Sequence, residues 1–405
     1  MLRMAMLSTG EEVLHGDIVD TNAAWLAEFL FTAGFPLIKR ATVGDSQTEL
    51  IRELKQLSHD HQIVIVNGGL GPTSDDLSAE AAALANGDAL RLFPEWLEQM
   101  ESFFASRHID MPSSNIKQAM LPASATIIDN PIGTACGFAL LINQCVFYFT
   151  PGVPSEFKRM VQQQILPDIQ RRYPQQKGLE CHRFYTFGSS ESALSELVDS
   201  VTLPEGYMIG YRAYLPFIEV KLFGPKGDAR QLTIMEQIQA SIETYVVCVN
   251  ESITACVARK FVQQQLSLAI CDGGSMGYLA YQLLSETTAK QWCRSYSMTH
   301  DHEEQKEGAL SLLQAQALEL RELQQVVLSL VIQNRGEHEV SLLLATPQGE
   351  WGQTLHFRRS YQQDERHVLV STFALDMLRR YLEQQPVWGQ YGSVERVATL
   401  SPHIG

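Results

Sequence analysis

Two short segments, both rich in glycine and carboxylates, carry most of the chemistry this chain can offer. One is Gly10-Glu11-Glu12-Val13-Leu14-His15-Gly16-Asp17-Ile18-Val19-Asp20-Thr21-Asn22; the other is Asn67-Gly68-Gly69-Leu70-Gly71-Pro72-Thr73-Ser74-Asp75-Asp76. Gly68, Gly69 and Gly71 let main-chain amides approach an anion closely, because no β-carbon keeps it away. Asp75 and Asp76 supply hard oxygen ligands beside that anion, as a magnesium-type ion needs to bridge protein and phosphate. Glu12 and Asp17 could complete such a site from the first segment, with His15 a weaker idea for a base. Each feature also has a plain structural reading. A glycine-rich loop after a strand can be only a tight turn, and an Asp-Asp pair can cap the next helix and complement its dipole. A third segment, Asn130-Pro131-Ile132-Gly133-Thr134-Ala135-Cys136-Gly137, stands just before a strand signal.

The elements that must position these segments alternate. Arg3 to Ser8 reads as a buried strand, Thr21 to Gly34 as a helix with Trp25, Leu26, Phe29 and Leu30 on one face, and Pro36 to Val43 as a second strand. Ser46 caps a helix with Leu50, Ile51, Leu54 and Leu57 at helical spacing, and Ile63-Val64-Ile65-Val66 is a strand buried on both faces. That rhythm implies a parallel sheet covered by helices on both sides, in which loops at the carboxyl ends of strands converge on one crevice. The first two segments should therefore face each other. Further on, the spacing predicts a helix over 94–107, strands over 137–142 and 146–150, and one long helix from Ser155 to Arg172.

Tyr173 to Gly178 is polar, with Pro and Gly, and reads as a boundary. Three domains are expected: 1–173, a small α+β module over 179–248, and an α/β domain over 250–405. In the last, the pattern gives helices over 253–264, 276–285 and 365–382, a strand over 266–271 and a hairpin from 326–332 and 340–345.

Composition narrows the function. Hydrophobic residues make up 45% and charged residues 19%, the balance of a compact soluble protein. A net charge of -15 argues against coating nucleic acid, which needs a basic face, but leaves room for a small phosphate ligand held by amides and a metal. The seven cysteines include no CxxC pair and read as reduced thiols. No apolar run approaches the roughly 20 residues of a membrane span, and the apolar start through Leu7 is too short for a signal peptide. A cytoplasmic protein with neither membrane nor nucleic-acid partner is expected.

Longer strings add a resemblance. Gly10-x-Glu12-x-Leu14-x-Gly16-x-Ile18-Val19-Asp20-Thr21-Asn22, Val43-Gly44-Asp45 and Gly68-Gly69-Leu70-Gly71-Pro72-Thr73-x-Asp75-Asp76 resemble the successive signatures of the CinA family. So do Asn115-x-x-Gln118-Ala119, Asn130-x-x-Gly133-Thr134-Ala135 and Pro151-Gly152-Val153-Pro154-Ser155-Glu156, in the same order. The resemblance implies an α/β, doubly wound molybdopterin-binding-like first domain. It implies hydrolysis of a nucleoside diphosphate sugar, ADP-ribose being the family's substrate, with a divalent metal (Mg, Mn or Co) as cofactor. Asp75 and Asp76 would then be the catalytic and metal-binding pair. Glu12, Asn22, Asp45, Gly68, Gly69, Gly71, Thr73, Asn130 and Gly133 would hold the ligand, and a homodimer would be the assembly. One departure is Cys136, where the family has proline; it should alter loop stiffness more than chemistry.

The resemblance continues through Phe187-Gly188-x-x-Glu191-Ser192 and Ile209-Gly210-Tyr211-Arg212, and then weakens. Ser267 to Gly277 occupies the place of the family's Ala-Glu-Ser-Cys-Thr-Gly-Gly amidase string, with the nucleophilic serine falling on Gly273 and its neighbouring cysteine on Gly274. Glycine offers no nucleophile for deamidating a nicotinamide nucleotide. Ser275 reads as a helix N-cap, and the family's downstream basic partner is not recognisable in Arg294 to Lys306. The expectation is a diphosphate hydrolase joined to a pseudo-amidase. The alternatives are a nucleotide- or molybdopterin-binding regulatory protein without turnover, and a scaffold that needs neither site.

Overall fold

Every residue of Ile63–Asn67 is buried, as a run of β-branched side chains demands of a strand covered on both faces. The computed structural model describes residues 2–174, 178–299 and 309–402, and the chain divides into two compact units, Met1–Glu180 and Cys181–Gly405.

The first unit runs β1 (Met4–Thr9), α1 (Glu11–Leu14), α2 (Thr21–Thr32), β2 (Leu37–Val43), α3 (Gln47–Asp60), β3 (Ile63–Asn67), α4 (Ser78–Asn86), β4 (Leu90–Leu92) and α5 (Pro94–Ala105). It continues through a 3-10 turn (Ser113–Ala119), β5 (Met120–Pro122), β6 (Thr126–Ile128), β7 (Gly137–Ile142) and β8 (Cys145–Thr150). Last come α6 (Pro154–Met160) and α7 (Leu166–Arg172), separated by a π turn, so the single long helix expected there is interrupted over Val161–Ile165. The main sheet has the order β2-β1-β3-β8-β7-β6, with the first four strands parallel and the last two antiparallel. Leu50, Leu54, Trp96 and Phe138 fill one face; Leu26, Leu30, Phe157 and Ile165 fill the other. This is a doubly wound, mainly parallel α/β sheet. Because β1, β2, β3 and β8 point the same way, the loops after Thr9, Val43, Asn67 and Thr150 leave from one edge.

Two local expectations give way here. Ser46 is the N-cap of α3, but its side chain makes no capping bond. Asp75 and Asp76 do not cap α4 either: its N-cap is Leu77, without a side-chain bond, and Asp76 turns back into its own loop.

The second unit holds two sheets. β9 (Leu179–Thr186), α8 (Glu191–Val198), β10 (Met208–Tyr214), β11 (Phe217–Pro225), α9 (Arg230–Ser241) and β12 (Val246–Val249) form an α+β layer with strand order β10-β11-β9-β12. Then follow α10 (Ile253–Gln264), β13 (Leu268–Gly273), α11 (Tyr278–Leu284), α12 (Ala289–Trp292), β14 (Cys293–Met298), α13 (Ala309–Leu323), β15 (Leu328–Arg335), β16 (Glu339–Thr346), β17 (Gly349–Phe357), α14 (Gln363–Leu382) and β18 (Val394–Leu400). Their sheet runs β14-β13-β15-β16-β17-β18, parallel only around β13. The expected hairpin is β15–β16, extended by β17 and β18, which alternation had not marked. Residues 175–177 of the expected boundary, and 300–306 of the stretch searched for a basic partner, lie outside the described residues.

Candidate functional site

The converging loops of the first unit enclose a cavity of about 570 Å3. Its floor is a hydrogen-bonded network of two buried amides. Asn67, the last residue of β3, donates to the Pro151 carbonyl at 2.6 Å and to Thr150 Oγ1 at 3.4 Å. Asn22, in the first turn of α2, donates to Asn67 Oδ1 at 2.9 Å and to the Gly152 carbonyl at 2.8 Å. Three separate loops are thereby fixed to each other. Asn22 Oδ1 stays buried with no partner among the described residues, an unsatisfied acceptor in the cavity wall. Asp20 holds the same turn, accepting from Ser8 Oγ at 2.6 Å and capping α2 through the Ala23 amide at 2.8 Å.

The glycines act by close approach. Gly68 has φ of 109°, and a β-carbon there would lie 2.7 Å from the Thr9 carbonyl oxygen, so only glycine lets β3's loop pass under β1. Its amide is already spent on the Thr150 carbonyl at 2.9 Å, which corrects the expectation that all three glycines offer amides. The Gly69 and Gly71 amides have no acceptor among the described residues and remain available.

Charge is the cavity's plainest property. Glu12, Asp20, Asp45, Asp75, Asp76 and Glu156 line it, and among the described residues no lysine, arginine or histidine does. The carboxylates sense one another. Burial first, and then the charges of Glu12, Asp75 and Glu11, raise the pKa of Asp45, against a lowering hydrogen bond from the Glu11 amide at 3.2 Å. Glu11 Oε1 accepts the Asp45 amide at 3.1 Å in return, bracing the loops after β1 and β2 together. Asp75 is fully exposed, and its pKa is lowered, first by the neighbouring Thr73 side chain and then by its own amide. Asp76 Oδ2 accepts from the Thr73 amide at 2.9 Å and from Thr73 Oγ1 at 2.5 Å, which closes the loop on itself. Oxygen-only donors on three loops, repelling one another, suit a hard divalent cation. They are not gathered to coordination distance: among the described residues no three Asp, Glu, His or Cys side chains form a metal-holding group.

Of the expected site residues, Glu12, Asn22, Asp45, Gly68, Gly69, Gly71, Asp75 and Asp76 share this cavity. Thr73, Asn130 and Gly133 do not line it. Thr73 serves Asp76, whereas Asn130 donates to the Ala135 carbonyl at 2.7 Å and to Glu156 Oε2 at 2.8 Å, aiming that carboxylate. A β-carbon on Gly133 would strike the same Glu156 carboxylate. Asp17 and His15 also stand outside the lining. Asn67, Asp20, Gln118 and Glu156 are the residues that sequence reasoning passed over. Asn67 carried a signal, being the single amide closing a purely apolar strand.

In the second unit, Gly273 ends β13, and a β-carbon there would meet Thr299 Oγ1 at 2.8 Å and the Ile332 carbonyl at 3.2 Å. One on Gly274 would lie 2.7 Å from Ile332 Cγ2. Ser275 is wholly buried; its hydroxyl donates to Asp272 and accepts the Leu279 amide at 3.1 Å, so it braces the start of α11 from three residues ahead of Tyr278, but the N-cap expected of it is Gly277. Tyr296 donates to the same Asp272 carboxylate.

Residues 5–171 match the family model described as "Probable molybdopterin binding domain". Over 404 residues, 99% of each chain, the sequence is 41% identical to a "CinA-like protein" of Escherichia coli (strain SMS-3-5 / SECEC). It is 40% identical, over the same share of each, to the "NMN amidohydrolase-like protein YfaY" of Escherichia coli (strain K12). A solved structure of a CinA protein from Thermoplasma acidophilum is 29% identical, covering 41% of this chain and 97% of that one, with a TM-score of 0.39. Along its whole length, the chain belongs to the CinA-like family.

Proposed function

We propose that the first unit hydrolyses the diphosphate bond of an ADP-ribose-like nucleotide in a reaction that depends on a divalent cation. The observation that carries this reading is a cavity with two available glycine amides and six carboxylates but no basic side chain among the described residues. An unneutralised phosphate about 4 Å from one carboxylate would be repelled by on the order of 4 kcal/mol at an effective dielectric of 20. No pair of amides offsets several such contacts. A phosphate ligand therefore enters with a hard cation, which Asp75 and Asp76 would hold with Asp45 and Glu12 nearby. Once bound, such a cation supplies positive charge against the diphosphate and makes a neighbouring water more acidic. The Gly69 and Gly71 amides hold the phosphoryl oxygens, the Asn22–Asn67 network fixes the loops, and Asp45, which lines the same cavity, would take a proton from water. Water adds to one phosphorus as the bridging P–O bond breaks, giving AMP and ribose 5-phosphate.

The second unit is, in this reading, a pseudo-amidase, because Gly273 has no nucleophile and the Ser275 hydroxyl is committed to Asp272 and Leu279. One observation favours the rival reading of a nucleotide-binding module without turnover, namely that the carboxylates are not gathered around a point. Equilibrium dialysis of ADP-ribose with magnesium and with EDTA tests the charge argument. Binding with magnesium and at least about a hundredfold weaker binding in EDTA is expected. Equal binding in both would contradict it.

A further inference from the structure

We infer that Lys117 is a positioning residue for the Asp75–Asp76 loop, holding it where it can take a cation; this rests on the proposed cation reading of the larger cavity. The loop has little else to fix it. Thr73 donates from its amide and from its hydroxyl to Asp76 Oδ2, at 2.9 and 2.5 Å, and the Asp76 amide donates back to the Thr73 carbonyl at 3.3 Å. These bonds close residues 73–76 into a ring that belongs to neither helix nor strand, with Thr73, Ser74 and Asp75 exposed. Among the described residues, one hydrogen bond links this ring to the rest of the fold: Lys117 Nζ donates to the Thr73 carbonyl.

The other end of that bond is anchored. Lys117 belongs to the 3-10 turn Ser113–Ala119, in which Asn115 and Gln118 are buried and joined at 2.8 Å. Gln118 also donates to the Leu70 carbonyl at 3.2 Å, and the Ala119 carbonyl accepts the Phe93 amide at 2.9 Å. Lys117 itself is half-buried and does not line the larger cavity; it stands in the wall of a smaller one of about 220 Å3, which Asp76 also lines. Its ammonium has two opposed effects. As a charge, which Asp75 feels, it repels an incoming cation. As a tether, it keeps the carboxylates at the cavity rim. On an exposed loop the charge acts through water and salt, which screen it beyond about 8–10 Å, whereas the tether acts by contact. The tether prevails. Removing it weakens cation binding, where a charge effect alone would strengthen it.

The test is manganese binding to the full chain by electron paramagnetic resonance, with Lys117→Met and Lys117→Arg beside the wild type. Lys117→Met is expected to weaken manganese at least about tenfold, and Lys117→Arg, which keeps a donor on a long stem, to stay within about threefold of wild type. Hydrogen exchange of the amides between Gly71 and Leu77 should quicken in Lys117→Met and be restored in Lys117→Arg, with the melting temperature unchanged. Manganese binding unchanged or tighter in Lys117→Met would overturn the tether, as would exchange in that loop that does not respond, or no rescue by arginine. A loss of binding accompanied by a lower melting temperature would overturn it too, since the effect would then belong to the fold. A wild type that binds no manganese would overturn the cation reading itself, and the tether with it.

Discussion

Asp75 and Asp76 are neighbours in sequence with different tasks. Asp75 points into solvent at the cavity rim, while Asp76 closes its loop on Thr73. Asp75→Asn should lower magnesium-dependent ADP-ribose affinity with no change in melting temperature. Asp76→Asn should lower both, because the Thr73 amide and hydroxyl lose a charged acceptor. Differential scanning calorimetry beside titration separates them. In the second unit, Ser275→Ala removes a buried donor to Asp272 and a buried acceptor for the Leu279 amide, and should cost about 1–3 kcal/mol in a denaturant melt. Gly273→Ser places a hydroxyl where the proposed reading expects an amidase nucleophile, yet its β-carbon meets Thr299 and the Ile332 carbonyl. It should lower stability, and neither it nor the wild type should release ammonia from nicotinamide mononucleotide above a blank; release abolished by Ser275→Ala would refute the pseudo-amidase reading. At this scale the sequence showed which residue types gather at the strand ends. It could not show that Gly68's amide is spent, or that Thr73, Asn130 and Gly133 work through Asp76 and Glu156. Those are hydrogen-bond assignments between loops far apart in sequence.

Elements were legible where one face is apolar at a steady period. The β-branched β3 and the α3 stripe of Leu50, Leu54 and Leu57 fold as their patterns require. Legibility failed where burial does not alternate. α13 was passed over although Leu313 and Ala317 are wholly buried, and β17 mixes glycine, glutamine and threonine through its buried stretch. The interrupted helix at the end of the first unit also escaped notice, since a π turn leaves no sequence period. That helix is tied to the sheet by Asp168, which accepts from the β8 residue Tyr148 at 2.5 Å and from Arg172 at 2.8 Å. Burial alone would raise the Asp168 pKa, but the bonds from Tyr148, Arg172 and Arg171 outweigh it and hold it at about 2, below the ordinary 3.8. A carboxylate with a depressed folded pKa contributes stability above its unfolded pKa and loses it as pH falls toward the folded value. The melting temperature should therefore fall between about pH 4 and pH 2. Asp168→Asn should start lower and show a shallower fall in that window, measured by circular dichroism.

For the whole molecule, the net charge of -15 argues against a nucleic-acid coat, and six carboxylates line the larger cavity of the first unit, where a phosphate ligand is proposed to bind. Among the described residues no helix is long and apolar enough to cross a membrane. The first unit carries the glycine and aspartate strings, whereas the second has Gly273 where the proposed reading expects an amidase nucleophile, so in that reading chemistry comes from the first alone. The direct test is chromatographic detection of AMP from ADP-ribose, with magnesium, manganese or cobalt, against EDTA and the Asp75→Asn variant. The account predicts AMP and ribose 5-phosphate in equal amounts, at a rate at least about a hundredfold above both controls. AMP that never exceeds the EDTA blank, although ADP-ribose binds, would contradict hydrolysis and leave a binding protein.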